Sequence, residues 1–280
     1  MQVKDKISKE CKLPAMPHVA MKLLQVVNDP MAKVDDLQRV ILADSALTAR
    51  ILKVANSAYY GLPRKVQTLS DAILLLGFST IKNIALGMAL REVFVGAGFL
   101  EMKLWEHSLG VAIGSGLVAS RTGNTSQDIE RAFIAGLLHD IGKAVLNYSF
   151  PELFVIVYES VVEEKVPTCE VEKEVFGFDH QDVAEYLFGQ WQLPEDLCLI
   201  VGNHHRCHNI DANSPEFDLC RIVRFSDTLC LYLGVGYRGP QHSYRDCLEA
   251  EADAIGIEFE ETMEEFKERY IAEKTLFTGH

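Results

Sequence analysis

Apolar residues recur along most of this chain every three or four positions. That is the spacing of one face of an α-helix, not the two-residue alternation of a half-buried strand. From Leu37 to Ala55 the stripe falls on Leu37, Val40, Ile41, Leu47, Ile51, Leu52 and Ala55, and Asp44-Ser45 interrupts it as a cap. Ser70-Asp71 predicts the start of a helix running to Leu76. Ser79 predicts the start of another running to Leu90, with Gly77 between the two. The run Ala132–Leu138 is apolar throughout and reads as a buried helix, and Cys247–Leu276 reads as helix with a break near Gly256. No Asn-Gly or Asp-Gly turn joins two alternating runs. The pattern predicts an all-α fold.

Gly96-Ala97-Gly98 is the best hinge in the sequence, and it predicts two parts, residues 1–98 and 99–280. The first is a set of compact helices in which His18 is the only histidine. The second holds every other histidine and all the residues with ligand chemistry. The sequence shows no internal repeat and no low-complexity segment.

The chemistry gathers around His139-Asp140, which follows directly on the apolar run. A carboxylate carried into apolar surroundings is costly unless something compensates it. An adjacent His and Asp offer a nitrogen and an oxygen ligand, and the carboxylate can bridge two ions. His107, His180, His204-His205 and Asp227 also lie in or beside apolar helical segments. Each alone has a plainer reading, which for a lone histidine is the commoner one. A single histidine can be a hydrogen-bonded core residue, Asp227 can cap a turn or pair with Arg224, and His204-His205 can be an exposed loop pair. Together they are polar groups that all need partners, and one metal centre would satisfy them at once. Nitrogen and carboxylate donors without thiolates suit Fe or Mn foremost, and also Zn, Ni or Co. Seven candidate ligands exceed the needs of one ion and point to two. Such pairs sit ~3.5–4 Å apart and activate water for attack on phosphorus. Lys143, one turn beyond Asp140, either stabilises charge on a phosphate or is a lysine favoured by the C-terminus of a helix. His18, His208, His242 and His280 lack matching context. Gly114-Ser115-Gly116 follows no strand and is not a nucleophile elbow. There is no phosphate-binding loop or dinucleotide fingerprint.

Composition narrows the setting. The net charge of −13, with 40 acidic residues against 27 basic, argues against binding to nucleic acid or an anionic membrane, both of which need basic patches. The acidic excess toward the C-terminus reads as a solvated helix face. Mean hydropathy is close to zero, and no run approaches the ~18 apolar residues of a membrane span. The charged first ten residues do not resemble a secretion signal. Seven scattered cysteines without CxxC spacing suit reduced thiols. The expectation is a cytoplasmic protein.

Four segments of the first part carry a resemblance. Leu13-Pro-Ala-Met-Pro17, Asp44-Ser-Ala-Leu-Thr-Ala-Arg-Ile-Leu52, Ala55-Asn-Ser-Ala-Tyr-Tyr-Gly61 and Ala72-Ile-Leu-Leu-Leu-Gly77 resemble the signature of the HDOD domain. This is a bacterial all-helical signalling module related to the HD phosphohydrolases, and the likeness runs from about Leu13 to Asp227. It implies a multi-helical HD-superfamily fold with an N-terminal helical subdomain. It also implies that His107, His139, Asp140 and Asp227 hold a first ion, with Asp140 bridging to a second. The cyclic-dinucleotide phosphodiesterase branch places an intermediate histidine and a His-His pair on the second ion, which His180 and His204-His205 match. Lys143 matches that branch's lysine. The Glu and Gly-Tyr-Pro elements that follow the pair in that branch are replaced here by Arg206-Cys-His-Asn-Ile-Asp211, which argues against cyclic di-GMP as substrate. Asp140 and Lys143 are the expected catalytic residues. Two functions compete: a metal-dependent phosphohydrolase acting on a phosphorylated small molecule or nucleotide, and a non-catalytic signalling scaffold with a structural metal and protein partners. Nucleotide binding without turnover is a third, weaker reading.

Overall fold

The computed structural model describes residues 3–29, 31–56, 65–94, 98–164 and 166–278. Among these the chain is helical with no strand, as the periodicity predicts. The core of the signature, Ser57–Gly61, and the hinge residues Gly96 and Ala97 lie outside the described residues. No single helix is long and apolar enough to cross a membrane, although the bent pair Leu69–Leu76 and Phe78–Arg91 passes on length and composition together.

The chain forms two compact units. One comprises Met16–Val93 and Lys267–His280. Its helices include α2 (His18–Asn28), α3 (Val34–Leu42), α4 (Ser45–Ala55), α5 (Leu69–Leu76) and most of α6 (Phe78–Phe94). Leu37, Ile41, Leu47, Ile51 and Ala55 of the predicted stripe are buried. The Asp44 carboxylate accepts from Leu47 N at 2.9 Å and separates α3 from α4 as expected. The start of α5 differs from the expectation. Thr68, not Ser70, is the cap, because its hydroxyl accepts from Asp71 N, which leaves Ser70 inside the helix. Ser79 likewise lies within α6, which begins at Phe78 directly after Gly77 turns the chain at φ +89°. Asn56 shows what the signature asparagine does. Its amide nitrogen donates to Leu52 O and Val66 O, and its amide oxygen accepts from Val66 N. One side chain thereby clasps the backbone on both sides of residues 57–64.

The other unit comprises Met1–Ala15 and Phe94–Phe266. The first helix, α1 (Val3–Glu10), belongs here because Ile7 is fully buried, Lys6 Nζ donates to Phe176 O and Trp191 Nε1 donates to Pro14 O. At its centre α7 (Phe99–Arg121) is buried from Leu104 to Ser115. It lies against α8 (Ser126–Leu138) and α14 (Pro215–Leu233). The helices α9 (Ile141–Ser149), α10 (Pro151–Glu164), α11 (Thr168–Phe176), α12 (His180–Trp191) and α13 (Glu195–Gly202) complete the surround, followed by α15 (Arg245–Ile255) and the part of α16 (Phe259–Thr278) up to Phe266. The expected break near Gly256 is the left-handed residue that ends α15.

Gly142 governs one helix contact. A Cβ there would lie 2.0 Å from the carbonyl oxygen of His180. Only glycine lets α9 come this close to the start of α12.

Candidate metal centre

Each predicted ligand is delivered by a different structural device. His107 projects from the middle of α7. His139 is the C-terminal cap of α8 and Asp140 the N-terminal cap of α9, so a single helix–helix corner presents both. His180 is the first residue of α12, His204-His205 follow α13, and Asp227 lies in α14. All seven converge. His107, His139, Asp140, His180, His204 and Asp227 are buried, and only the His205 side chain, at 28%, has substantial exposure. The plainer readings of Asp227 and the His-His pair do not hold. Arg224 pairs with Glu251 at 2.9 Å, leaving Asp227 to His107.

The ligand atoms form two sets with Asp140 between them. Those of His107, His139 and Asp227 lie within 4.8 Å of one another, as do those of His180, His204 and His205. Asp140 Oδ2 faces the first set, 3.7 Å from His107 Nε2 and 3.4 Å from His139 Nε2. Asp140 Oδ1 faces the second, 3.6 Å from His180 Nε2 and 3.9 Å from His204 Nε2.

The hydrogen bonds around the rings set their orientation. Four histidines direct Nδ1 outward onto an acceptor: His107 to Val235 O at 3.1 Å, His139 to Gly136 O at 2.7 Å, His204 to Val201 O at 2.7 Å and His180 to Glu172 Oε2 at 2.5 Å. A neutral imidazole has one N–H, so these contacts assign it to Nδ1 and leave Nε2 a lone pair aimed inward. His180 Nε2 and His204 Nε2 then face each other at 3.3 Å, and His107 Nε2 faces Asp227 Oδ1 at 3.0 Å. His139 Nε2 and Asp140 Oδ1 are buried with no partner. A proton or a metal cation between them would satisfy lone pairs opposed at such distances in a buried cavity. The donor set therefore fits divalent metal ions.

Electrostatics agree. Burial, and then the neighbouring His205, holds His204 well below the usual imidazole range, and burial takes His205 down to about 3. Both are neutral at physiological pH, the state a metal ligand requires. Burial alone would raise Asp140, but His139 and Lys143 outweigh it and keep the carboxyl well below its ordinary range. Burial would also raise Asp227, but the His107 contact and His139 hold it low. Asp140 in turn raises His139 against the effect of burial.

Lys143 stands in the first turn of α9, so the reading as a lysine at a helix C-terminus is overturned. Its Nζ lies 2.7 Å from Asp140 Oδ2 and 3.2 Å from the Tyr237 hydroxyl. Burial disfavours the ammonium, but Asp140 more than restores it, and the lysine stays charged.

Several residues of the site escaped the sequence reading. Glu172 is fully buried, and its Oε2 also accepts from His180 N at 2.9 Å. A carboxylate so placed fixes the ring of a metal-binding histidine and raises its basicity. Nothing in Glu170-Val-Glu172-Lys-Glu174 separates this glutamate from its neighbours in sequence. Tyr237 and Arg238 come from the loop after α14. The Arg238 guanidinium lies 5.4 Å from the Tyr237 ring centre and donates to Thr168 Oγ1, while its Nε has no partner. A Cβ at Gly236 would press within 2.5 Å of His107 Cβ at φ +103°, so this close approach requires glycine. Glu172→Gln should weaken binding of the ion at the His180 set by about 10–100-fold, read by competition with a fluorescent chelator. Unchanged affinity would remove Glu172 from the site.

Comparison with known proteins shows the family. The family model of the HDOD domain matches residues 13–207, which leaves Asp227, Tyr237 and Arg238 beyond the matched segment. An uncharacterised protein of Treponema pallidum is 23% identical over 222 residues, which are 79% of this chain and 42% of that protein. The chain thus spans about two fifths of the length of this curated relative. Among solved structures, an HDOD domain protein of unknown function from Geobacter sulfurreducens is 29% identical with a TM-score of 0.83. That match covers 98% of this chain and 95% of that one. A candidate metal-dependent phosphohydrolase from Shewanella amazonensis is 20% identical with a TM-score of 0.65, over 98% of this chain and 96% of that one, and shares the fold. The family match spans well over half of the sequence, and on that ground the chain belongs to the HDOD domain family.

Proposed function

We propose that this protein binds two divalent transition-metal ions, Fe or Mn in preference to Zn, Ni or Co, and hydrolyses a phosphate ester or phosphodiester of a small molecule or nucleotide in a signalling role. The observation that carries this reading is Asp140, whose two carboxylate oxygens face two separate sets of inward lone pairs. His107, His139 and Asp227 would hold one ion, His180, His204 and His205 the other, and Asp140 would bridge them. Ions so held polarise a phosphoryl oxygen and make water a competent nucleophile at neutral pH. The chain's own residues supply the rest. Glu172, Gly136 O, Val201 O and Val235 O keep the rings in the required tautomer. Lys143 keeps a proton and a positive charge beside Asp140, where charge would build on a transferred phosphoryl group. Arg238, 7% exposed and with no carboxylate partner among the described residues, adds a second cation near Tyr237. Both suit an anionic substrate.

Elemental analysis of the full chain after anaerobic reconstitution should find two transition-metal ions per chain, and less than one would overturn the proposal. A second reading, a signalling scaffold with a structural metal and protein partners, draws support from the family signature. Its distinctive segments lie in residues 13–77 and include no metal ligand. A panel of phosphomonoesters and phosphodiesters decides between them. Turnover by the metal-loaded protein that vanishes in His139→Ala, with helicity intact by circular dichroism, supports hydrolysis. No turnover on any substrate by a fully loaded chain supports the scaffold.

A further inference from the structure

Cys207 and Cys220 lie beneath the segment that carries His204 and His205. Cys207 is in the short 3-10 turn Cys207–Asn209, Cys220 is in α14, and both are buried. Their sulfurs are 2.7 Å apart, well inside the roughly 3.5–4.0 Å of ordinary non-bonded contact. Cys207 Sγ also reaches His204 O at 3.5 Å, and Cys220 Sγ reaches Asn203 O at 3.3 Å. Both thiols therefore border the backbone that delivers the His-His pair.

The position in α14 adds a second connection. Cys220 and Asp227 are seven residues apart, two helical turns, and so share one face of the helix. A bond from Cys207 to Cys220 would tie the turn three residues after His204 to the helix that presents Asp227. It would span the two ligand sets through covalent structure, with the sulfurs closing by about 0.7 Å to the 2.03–2.05 Å of a disulfide.

We propose that Cys207 and Cys220 are an oxidation site whose disulfide straps the His204–His205 segment to α14 and slows exchange of the metal held there. The metal consequence rests on the proposed dinuclear site; the disulfide does not. The oxidant is hydrogen peroxide, small enough to enter during local opening of the segment. The thiolate of Cys207 attacks the peroxide oxygen, the O–O bond breaks, and the departing hydroxide takes up the thiol's proton as water, leaving a sulfenic acid. Cys220 sulfur then attacks Cys207 sulfur, the S–O bond breaks, and the hydroxide leaves as water with the Cys220 proton. Two thiols are oxidised by two electrons and one peroxide is reduced to two waters.

The test treats the full chain with hydrogen peroxide, then quenches and digests it without reductant. Mass spectrometry should find a linked peptide joining Cys207 to Cys220, and titration in denaturant should count five thiols where the reduced chain has seven. In the oxidised chain, amide hydrogen exchange across Asn203–Ile210 should slow at least tenfold. Release of bound metal to a chelator should slow at least tenfold as well. Cys198→Ser should behave as wild type, and Cys207→Ala and Cys220→Ala should each lose all of these effects. If one variant fails to fold, the other serves alone. Absence of the linked peptide overturns the proposal, as does a linked chain whose exchange is unchanged. A linked, protected segment in a chain that takes up no metal sinks the metal centre and leaves the strap standing.

Discussion

Asp140→Asn is expected to have the largest effect on any activity of this protein. The substitution keeps the shape and removes the charge that both ligand sets share. One of the two positions facing them becomes an N–H donor, which repels a cation, while the other keeps a weaker acceptor. Metal content should fall from two ions per chain to less than one, and turnover by on the order of 10³ or more, since losing several kcal/mol of charge stabilisation costs that much in rate. The variant has a second consequence that the metal does not mediate. Lys143 Nζ now has Asp140 Oδ2 at 2.7 Å, and with asparagine there the ammonium would keep the Tyr237 hydroxyl and at best a neutral amide oxygen, but no counter-charge. Stranding a buried charge by removing its partner costs about 3–5 kcal/mol. Asp140→Asn should therefore melt lower than wild type even in chelator, and Lys143→Met in the same background should recover part of the loss. Full metal loading by Asp140→Asn would sink the bridging role. An unchanged melting temperature in chelator would sink the Lys143 pairing.

The second large effect is expected from Gly142→Ala. At an ordinary helical site this change stabilises by up to ~1 kcal/mol, because alanine loses less backbone entropy on folding. Here the new Cβ would lie 2.0 Å from the His180 carbonyl oxygen and 2.7 Å from its carbon. Backbone atoms cannot swing aside as a flexible side chain could, so α9 and α12 must separate. Overpacking of this kind costs about 1–3 kcal/mol, and the contact decides the sign. Because His180 heads α12 and Asp140 caps α9, the separation also pulls a ligand of the second set away from the bridge. Urea denaturation should show a lower midpoint with an unchanged slope, and metal content should fall toward one ion per chain. A variant as stable as wild type with two ions bound would show that the helices tolerate the methyl and that Gly142 serves another purpose.

Both effects depend on a corner legible in the sequence only as a string of residues. His139-Asp140 after an apolar run implied a buried polar pair in need of compensation, and the candidates for that role were the residues that the fold brings together. The helical period determined the fold class, since a 3.6-residue stripe can bury only one face of a helix. Asp44 was readable as a cap because capping is local. The cap of α5 was misplaced because Thr68 and Ser70 are chemically alike, and only the backbone path decides whose hydroxyl meets Asp71 N.

What the sequence could not determine is set by contacts between residues far apart along the chain. Glu172 looks like any surface glutamate until α11 lies beside α12 and closes it off from water against His180 Nδ1. The side of Lys143 was undecidable while the end of its helix was unknown. With α9 starting at Ile141, the lysine falls next to Asp140 instead of at a helix C-terminus. Scattered cysteines suggested only reduced thiols, and the fold alone places Cys207 against Cys220 under the His-His segment. Sequence by itself determined the helices, the candidate ligands and the family, because these follow from local periodicity and residue chemistry. Tertiary structure decided which nitrogen of each ring faces inward, that Asp140 lies between two sets, and which carboxylates and cations serve them. Those depend on distances that only packing creates.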